Sequence, residues 1–298
     1  MQVAFLLFDG FQPIDLAGPW QALATANEEL GRPHYRLLTV AAQAVNATTD
    51  QGLRVQADHS LAQAWDVPLA MIVIPGGDGV HRALQDPDTL AWLRHHDLGT
   101  QRTCSVCTGA FLLAAAGLLE GRTVTTHWRA ADRLRRQFPA LTVHDDRIYC
   151  ESGKYWTAAG VTAGIDLALA LIERDCGTDV AQRVARRLVV YLRRNGDQRQ
   201  YSQTLRSQDR AGAPFRELLE RIEATLSAPW SVDDMAEASG MSRRSFQRKF
   251  TVHFGTTPTE VLRNLRQERA AVLEAAGKLS RKEIARQVGR IAAVGGGR

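Results

Sequence analysis

The chain has 298 residues, 45% of them apolar and 23% charged, which marks ordinary globular material long enough for two cores of domain size. Residues 1–180 hold 14 basic against 20 acidic side chains and residues 181–298 hold 23 against 12, so a net −6 part is followed by a net +11 part. A polyanionic partner is therefore expected for the second part only, the alternative being a basic surface that is merely solvated.

In chain order, the apolar run of Met1–Phe8 stops at Asp9 with no basic residue before it, as in a first buried strand and unlike a signal peptide. Val3–Phe8, Tyr35–Val40, Met71–Ile74 and Thr103–Val106 are predicted strands, and Leu16–Leu30, Asp88–His95, Gly109–Leu119 and Ala130–Phe138 predicted helices. Fully apolar strands alternating with helices predict an α/β fold, a doubly wound, flavodoxin-like and mostly parallel sheet covered on both faces. Val161–Ile172 is small and apolar enough for a helix buried against that sheet. Gly109–Leu119 ends at Glu120, short of the roughly 18 residues of a membrane span. From Arg193 to Gly212 the composition turns to Arg, Asn, Gln, Asp, Gly and Ser, a linker signal. The expected organisation is a domain over 1–195, a linker over 196–213 and a smaller all-α domain over 214–298. Four cysteines lying inside strand and helix patterns do not resemble a disulfide framework, and a reducing cytoplasm fits them.

In Thr103-Cys-Ser-Val-Cys107-Thr-Gly109 a buried strand turns sharply into a helix at Cys107. Such an elbow exposes its side chain above the carboxyl ends of the strands, where helix-turn N–H groups can lower a thiol pKa or hold an oxyanion. Ile74-Pro-Gly76-Gly77 ends a neighbouring strand in a turn able to offer a further amide. Cys104 and Cys107 form a C-x-x-C without a second ligand pair at zinc spacing, so no metal site and no cofactor are expected. Cys150 and Cys176 are read as small core residues, and His95-His96 as the charge-compensating end of an exposed helix.

Phe8-Asp-Gly-Phe, Ile14-Asp-Leu-Ala-Gly-Pro19, Ile74-Pro-Gly-Gly77, Ser105-Val-Cys-Thr-Gly-Ala-Phe-Leu112, Gly117–Trp128 and Trp156–Asp166 together resemble the PfpI-like branch of the class I glutamine amidotransferase superfamily. More narrowly, they resemble the sensor domain of GlxA-family regulators over about residues 1–195. The resemblance implies an elbow nucleophile position at Cys107, an acidic partner at Asp15 and a regulator-type His-Trp pair at His127. It also raises an enzyme alternative, since isocyanide hydratases of this superfamily use an elbow cysteine with a loop aspartate. Cys107 and Asp15 would then be the catalytic pair. Otherwise Asp15, Gly76, Gly77, Cys107, Thr108 and His127 line a pocket for a small-molecule effector. For His127 a buried, hydrogen-bonded structural role stands equally open.

The segment Trp230–Phe250 predicts a helix, a glycine turn at Gly240 and a second helix. Ser231 and Asp234 can form a capping box, Ser242 can cap the second helix, and Phe246 with Phe250 at i, i+4 would pin one face to a core. The opposite face would present Arg243, Arg244, Gln247 and Arg248, with Lys249 as a phosphate contact, as a recognition helix does in the major groove of double-stranded DNA. Phe254–Arg269 resembles the connecting helix of AraC-type regulators, which carry two such motifs. A second motif starts at Leu279-Ser-Arg-Lys-Glu283, but Arg290–Arg298 runs into glycine where a second recognition helix would stand, so that motif is expected to be incomplete. The expected function is effector-controlled transcription regulation by a cytoplasmic homodimer without membrane contact. The enzyme reading remains the alternative.

Overall fold

The computed structural model describes residues 1–42, 45–190, 213–275 and 279–289. The chain divides into two compact units, Met1–Gln200 and Tyr201–Arg298. Most of the predicted linker and the glycine-rich tail 290–298 lie outside the described residues.

In the first unit β1 (Gln2–Leu7), β2 (Arg36–Ala41), a hairpin of β3 (Asn46–Thr48) and β4 (Arg54–Gln56), β5 (His59–Ser60), β6 (Met71–Ile74) and β7 (Arg102–Val106) alternate with α1 (Pro13–Leu30), α2 (Val80–Ala83) and α3 (Pro87–Asp97). After β7 come α4 (Ala110–Ala115), β8 (Thr123–Thr125), α5 (Trp128–Gln137), β9 (Thr142–His144), β10 (Tyr149–Ser152), β11 (Tyr155–Ala158), α6 (Ala163–Cys176) and α7 (Thr178–Arg187). The central sheet has seven strands in the order β10-β11-β7-β6-β1-β2-β5. All its pairings are parallel except β10 with β11, which is the predicted doubly wound sheet. The central strands are buried on both faces because helices cover both: Phe5, Leu6, Ile72, Ile74, Cys104 and Val106 are fully buried, and so are the small polar Thr103 and Ser105 on the other face of β7. Pro13 opens α1 at a position where its missing N–H costs nothing, and Gly31 closes it at φ 64°.

The four predicted strands and the long helices are present. Gly109–Leu119 is shorter than expected, because Cys107–Gly109 forms a 3-10 turn and α4 ends at Ala115. The helix ending in His95-His96 is exposed on one side only: Trp92, Leu93 and His96 are buried, whereas Arg94 and His95 face out, His95 stacked on Trp65 at 4.7 Å. Cys150 is a core residue, whereas Cys176 is half-buried beside the Tyr35 hydroxyl.

The second unit holds α8 (Ala213–Ala224), α9 (Val232–Ala238), α10 (Arg243–Phe254), α11 (Pro258–Ala275) and α12 (Arg281–Val288). Its core gathers Phe215, Leu218, Leu219, Met235, Phe246, Phe250, Phe254, Val261 and Leu265. A satellite cluster of Ala270, Ile284 and Val288 seats α12 on α11.

Candidate functional site

The loops after β1, β6, β7 and β11 meet at Cys107. The chain leaves β7 through Cys107 at φ 55°, a left-handed conformation that costs a non-glycine residue on the order of 1 kcal/mol or more. Strain of this kind persists only where the surroundings leave no room for relaxation. Here they do not: a Cβ on Gly76 would lie 2.5 Å from the Thr108 nitrogen and 2.7 Å from the Cys107 Cβ. The Thr108 hydroxyl accepts from the Gly77 N–H at 2.9 Å and donates to the Gly77 carbonyl at 3.2 Å, stapling the two turns together. The Thr126 hydroxyl donates to the Cys107 carbonyl at 2.8 Å.

Asp15, in the first turn of α1, is fully buried. Its Oδ2 accepts from the Gly76 N–H at 3.0 Å and its Oδ1 from the Val161 N–H at 2.8 Å, and its carboxyl is hydrogen-bonded to the Cys107 thiol. Removal from water raises its pKa to about 6, against the pull of the Val161, Gly76 and Cys107 hydrogen bonds. Burial also pushes the Cys107 thiol well above its usual value, and the charge of Asp15 pushes it further. The hydrogen bonds from Thr108, in the helix turn, act the other way, as that turn can, but are outweighed by burial. Both groups hold protons more tightly than usual, as two acids competing for one hydrogen bond do. The sulfur is a thiol at neutral pH and becomes a nucleophile only by passing its proton on.

Asp15, Gly76, Gly77, Cys107 and Thr108 are thus brought together. Both glycine amides are engaged within the protein, Gly76 with Asp15 and Gly77 with Thr108. His127 is half-buried and caps α5, its Nδ1 accepting from the Arg129 N–H at 3.4 Å, and burial lowers its pKa. It is placed near the elbow only through its neighbour Thr126, and among the described residues it makes no hydrogen bond to Cys107 or Asp15. Sequence reasoning missed Val161, which sits at φ 52° and turns its N–H onto Asp15. A signal existed in the quoted Trp156–Asp166 stretch, but a main-chain donor leaves no mark in side-chain chemistry. Among the described residues no group of three or more His, Cys, Asp or Glu is placed to hold a metal ion, and no helix is long and apolar enough to cross a membrane.

In the second unit, Ser231 and Asp234 form the predicted capping box: Ser231 Oγ accepts from the Asp234 N–H at 3.1 Å, and Asp234 Oδ2 accepts from the Ser231 N–H at 2.8 Å. Gly240 turns at φ 64° and Ser242 caps α10. Phe246 and Phe250 are buried, their rings 5.2 Å apart. Arg243, Arg244, Gln247, Arg248 and Lys249 are exposed on α10, with Arg243 paired to Asp233 at 2.8 Å. Ser280 and Glu283 repeat the capping box at the start of α12.

A doubly wound domain with a strained cysteine elbow and a buried carboxyl partner, followed by a helix-turn-helix unit, defines the class. The chain belongs to the DJ-1/PfpI family, whose model matches residues 1–174, and a helix-turn-helix domain model matches residues 235–289. It is similar to an isonitrile hydratase of Pseudomonas putida, 37% identical over 185 residues that cover 62% of this chain and 76% of the relative. It is also similar to the HTH-type transcriptional regulator GlxA of Rhizobium meliloti, 30% identical over 291 residues, 97% of this chain and 88% of the relative. Among solved structures, a THiJ/PfpI family protein from Pseudomonas syringae superposes with a TM-score of 0.57 at 28% identity, over 63% of this chain and 74% of that one.

Proposed function

We propose that the chain is a sequence-specific DNA-binding transcription regulator controlled by a small-molecule effector. The exposed face of α10 carries this reading. Arg243, Arg244, Gln247 and Arg248 stand opposite a buried aromatic seam, which is the arrangement a helix needs to enter a major groove with its donors toward base edges. The similarity to the GlxA regulator runs through both units, whereas the similarity to the isonitrile hydratase covers the first part of the chain. Residues 1–195 act as sensor, 196–213 as linker and 214–298 as the DNA-binding part. Ser242 and Lys249 add phosphate contacts.

The effector site is built on Asp15 and Cys107, framed by Gly76, Gly77 and Thr108, with His127 at its rim. The helix turn after Cys107 favours a small polar or carbonyl-bearing molecule. The working form is a cytoplasmic homodimer, since paired half-sites suit a two-fold partner. Salt-titrated binding of the full chain to promoter fragments tests the reading: binding should fall steeply with salt and should require residues beyond 195. Equal binding by residues 1–195 alone would overturn it.

A second reading is favoured by the Cys107–Asp15 hydrogen bond. A thiol that gives its proton to Asp15 can add to an electrophilic carbon while Asp15 returns the proton to the adduct; water then adds to that carbon, the C–S bond breaks and the thiol is regenerated, as cysteine-dependent hydration requires. Multiple turnovers of an isocyanide by the wild type, abolished by Cys107→Ser, would establish it and place the regulator reading second.

A further inference from the structure

Helices α1 and α6 both start at the Cys107 site and both lead to α7. Asp15 lies in the first turn of α1, and the Val161 N–H that holds it lies two residues before α6. Toward the far end of α1, about 20 Å from Asp15 at 1.5 Å per residue, stand Glu28 and Glu29. Glu29 accepts from Arg183 Nε at 3.1 Å and from Arg187 Nη1 at 3.4 Å, and its carbonyl accepts from Arg183 as well. Arg187 also pairs with Glu28, and Arg183 with Asp179.

The two helices meet α7 differently. The end of α6 is fixed to the sheet, because Asp175 forms a two-pronged ion pair with Arg102 at 2.6 and 2.7 Å and accepts from Tyr35 Oη at 2.9 Å. Beyond it Gly177 turns at φ 89°, and α7 is held by its buried Val180, Ala181 and Val184 and by the acids of α1. Just past α7 the chain passes through Val189 at φ 54°, 86% exposed. Helices commonly end on glycine at such a position; here the strain of a β-branched side chain is held by the ending's own hydrogen bonds, Val189 N–H to the Arg186 carbonyl at 3.1 Å and Val190 N–H to the Ala185 carbonyl at 2.9 Å, which last only while α7 does.

We propose that the α1–α7 ion-pair clamp, ending on Val189, is the relay by which the state of the Cys107 site reaches the chain that leads into the second unit. A change at Asp15 acts on the first turn of α1. The clamp passes it to α7, and a released α7 lets Val189 leave its strained conformation. Such a device has two states that the site biases. The proposal rests on the regulator reading, because only a DNA-reading second unit gives the relay an output.

The test is a double-mutant cycle on the full chain, with wild type, Asp15→Asn, the pair Glu28→Gln and Glu29→Gln, and the combination. Amide hydrogen exchange over residues 178–188 and promoter affinity are both read. Asp15→Asn should accelerate exchange in α7 about threefold or more and shift promoter affinity by a similar factor, while in the clamp-free background it should add nothing to either. Asp15→Glu, which keeps the charge, covers the case in which the asparagine variant fails to fold. Unchanged α7 exchange at both Asp15 variants, or effects that simply multiply, would overturn the proposal. A wild type that binds no DNA yet shows coupled exchange would sink the regulator reading and leave the coupling intact.

Discussion

Gly160 stands against the back of Cys107 so closely that a Cβ on it would lie 2.6 Å from the Cys107 Cβ and 2.9 Å from its sulfur. Its φ of 118° is also one that side chains avoid. Gly160→Ala should therefore cost about 1–3 kcal/mol from overcrowding alone. Urea unfolding followed by first-unit tryptophans such as Trp92 and Trp156 checks this, and a midpoint equal to that of wild type would contradict the close approach.

Asp15 binds its proton more tightly in the fold, near pH 6, than an unfolded aspartate does near 3.9. Ionising it therefore opposes folding: its contribution is fully present below about pH 4 and is lost as the pH rises through about 6. The pKa difference corresponds to about 3 kcal/mol. Between about pH 4 and pH 7 the wild type should lose stability that Asp15→Asn does not lose. Parallel stability profiles for the two proteins would contradict the assignment.

The charge of Asp15 helps to keep the Cys107 thiol protonated. In Asp15→Asn the thiol pKa should fall, and each unit of that fall raises the thiolate fraction about tenfold at a fixed pH below it. Iodoacetamide labelling at mildly alkaline pH, read by mass spectrometry on the peptide containing Cys107, should be faster in the variant. Equal or slower labelling would show that burial alone governs the thiol.

On α10, Arg244→Ala and Gln247→Ala should each relax base preference by about 1–3 kcal/mol if the helix lies in the groove. Lys249→Ala should instead weaken binding to all sequences alike and lower the salt slope by about one. Arg243 is already paired with Asp233, an exposed ion pair worth well under about 1 kcal/mol, so Asp233→Asn should leave stability almost unchanged. Selection from a randomised DNA library separates these outcomes.

The strands at the centre of the sheet were legible because burial on both faces makes β1 and β6 unbroken apolar runs past Gln2, and leaves only small polar side chains, Thr39 in β2 and Thr103 and Ser105 in β7, among the buried positions of their neighbours. The edges were not. β5 is two residues long, and β10 and β11 are separated only by Gly153-Lys154 and interrupted by Glu151, so neither pattern nor length singles them out. α9 and α10 were readable because caps, the turn glycine and the i, i+4 phenylalanines are all local signals. At the elbow the side chains Asp15, Cys107 and Thr108 were found. Their framing was missed in part because Val161 and Gly160 act through main chain and through lack of a side chain.

Both rims of the central sheet are short. One is β5, His59–Ser60, and the other is β10, Tyr149–Ser152, whose outward Glu151 is tied to Arg174 of α6. A second copy laid along either rim would find only a few backbone groups to bond, and on the β10 side a charged pair in its way. Two copies that associate through this unit must therefore meet helix to helix or loop to loop. Their contact would then fall on the helices or loops of the unit, so that substitutions on those surfaces, and not along the strand edges, are the ones that would alter the pairing of subunits.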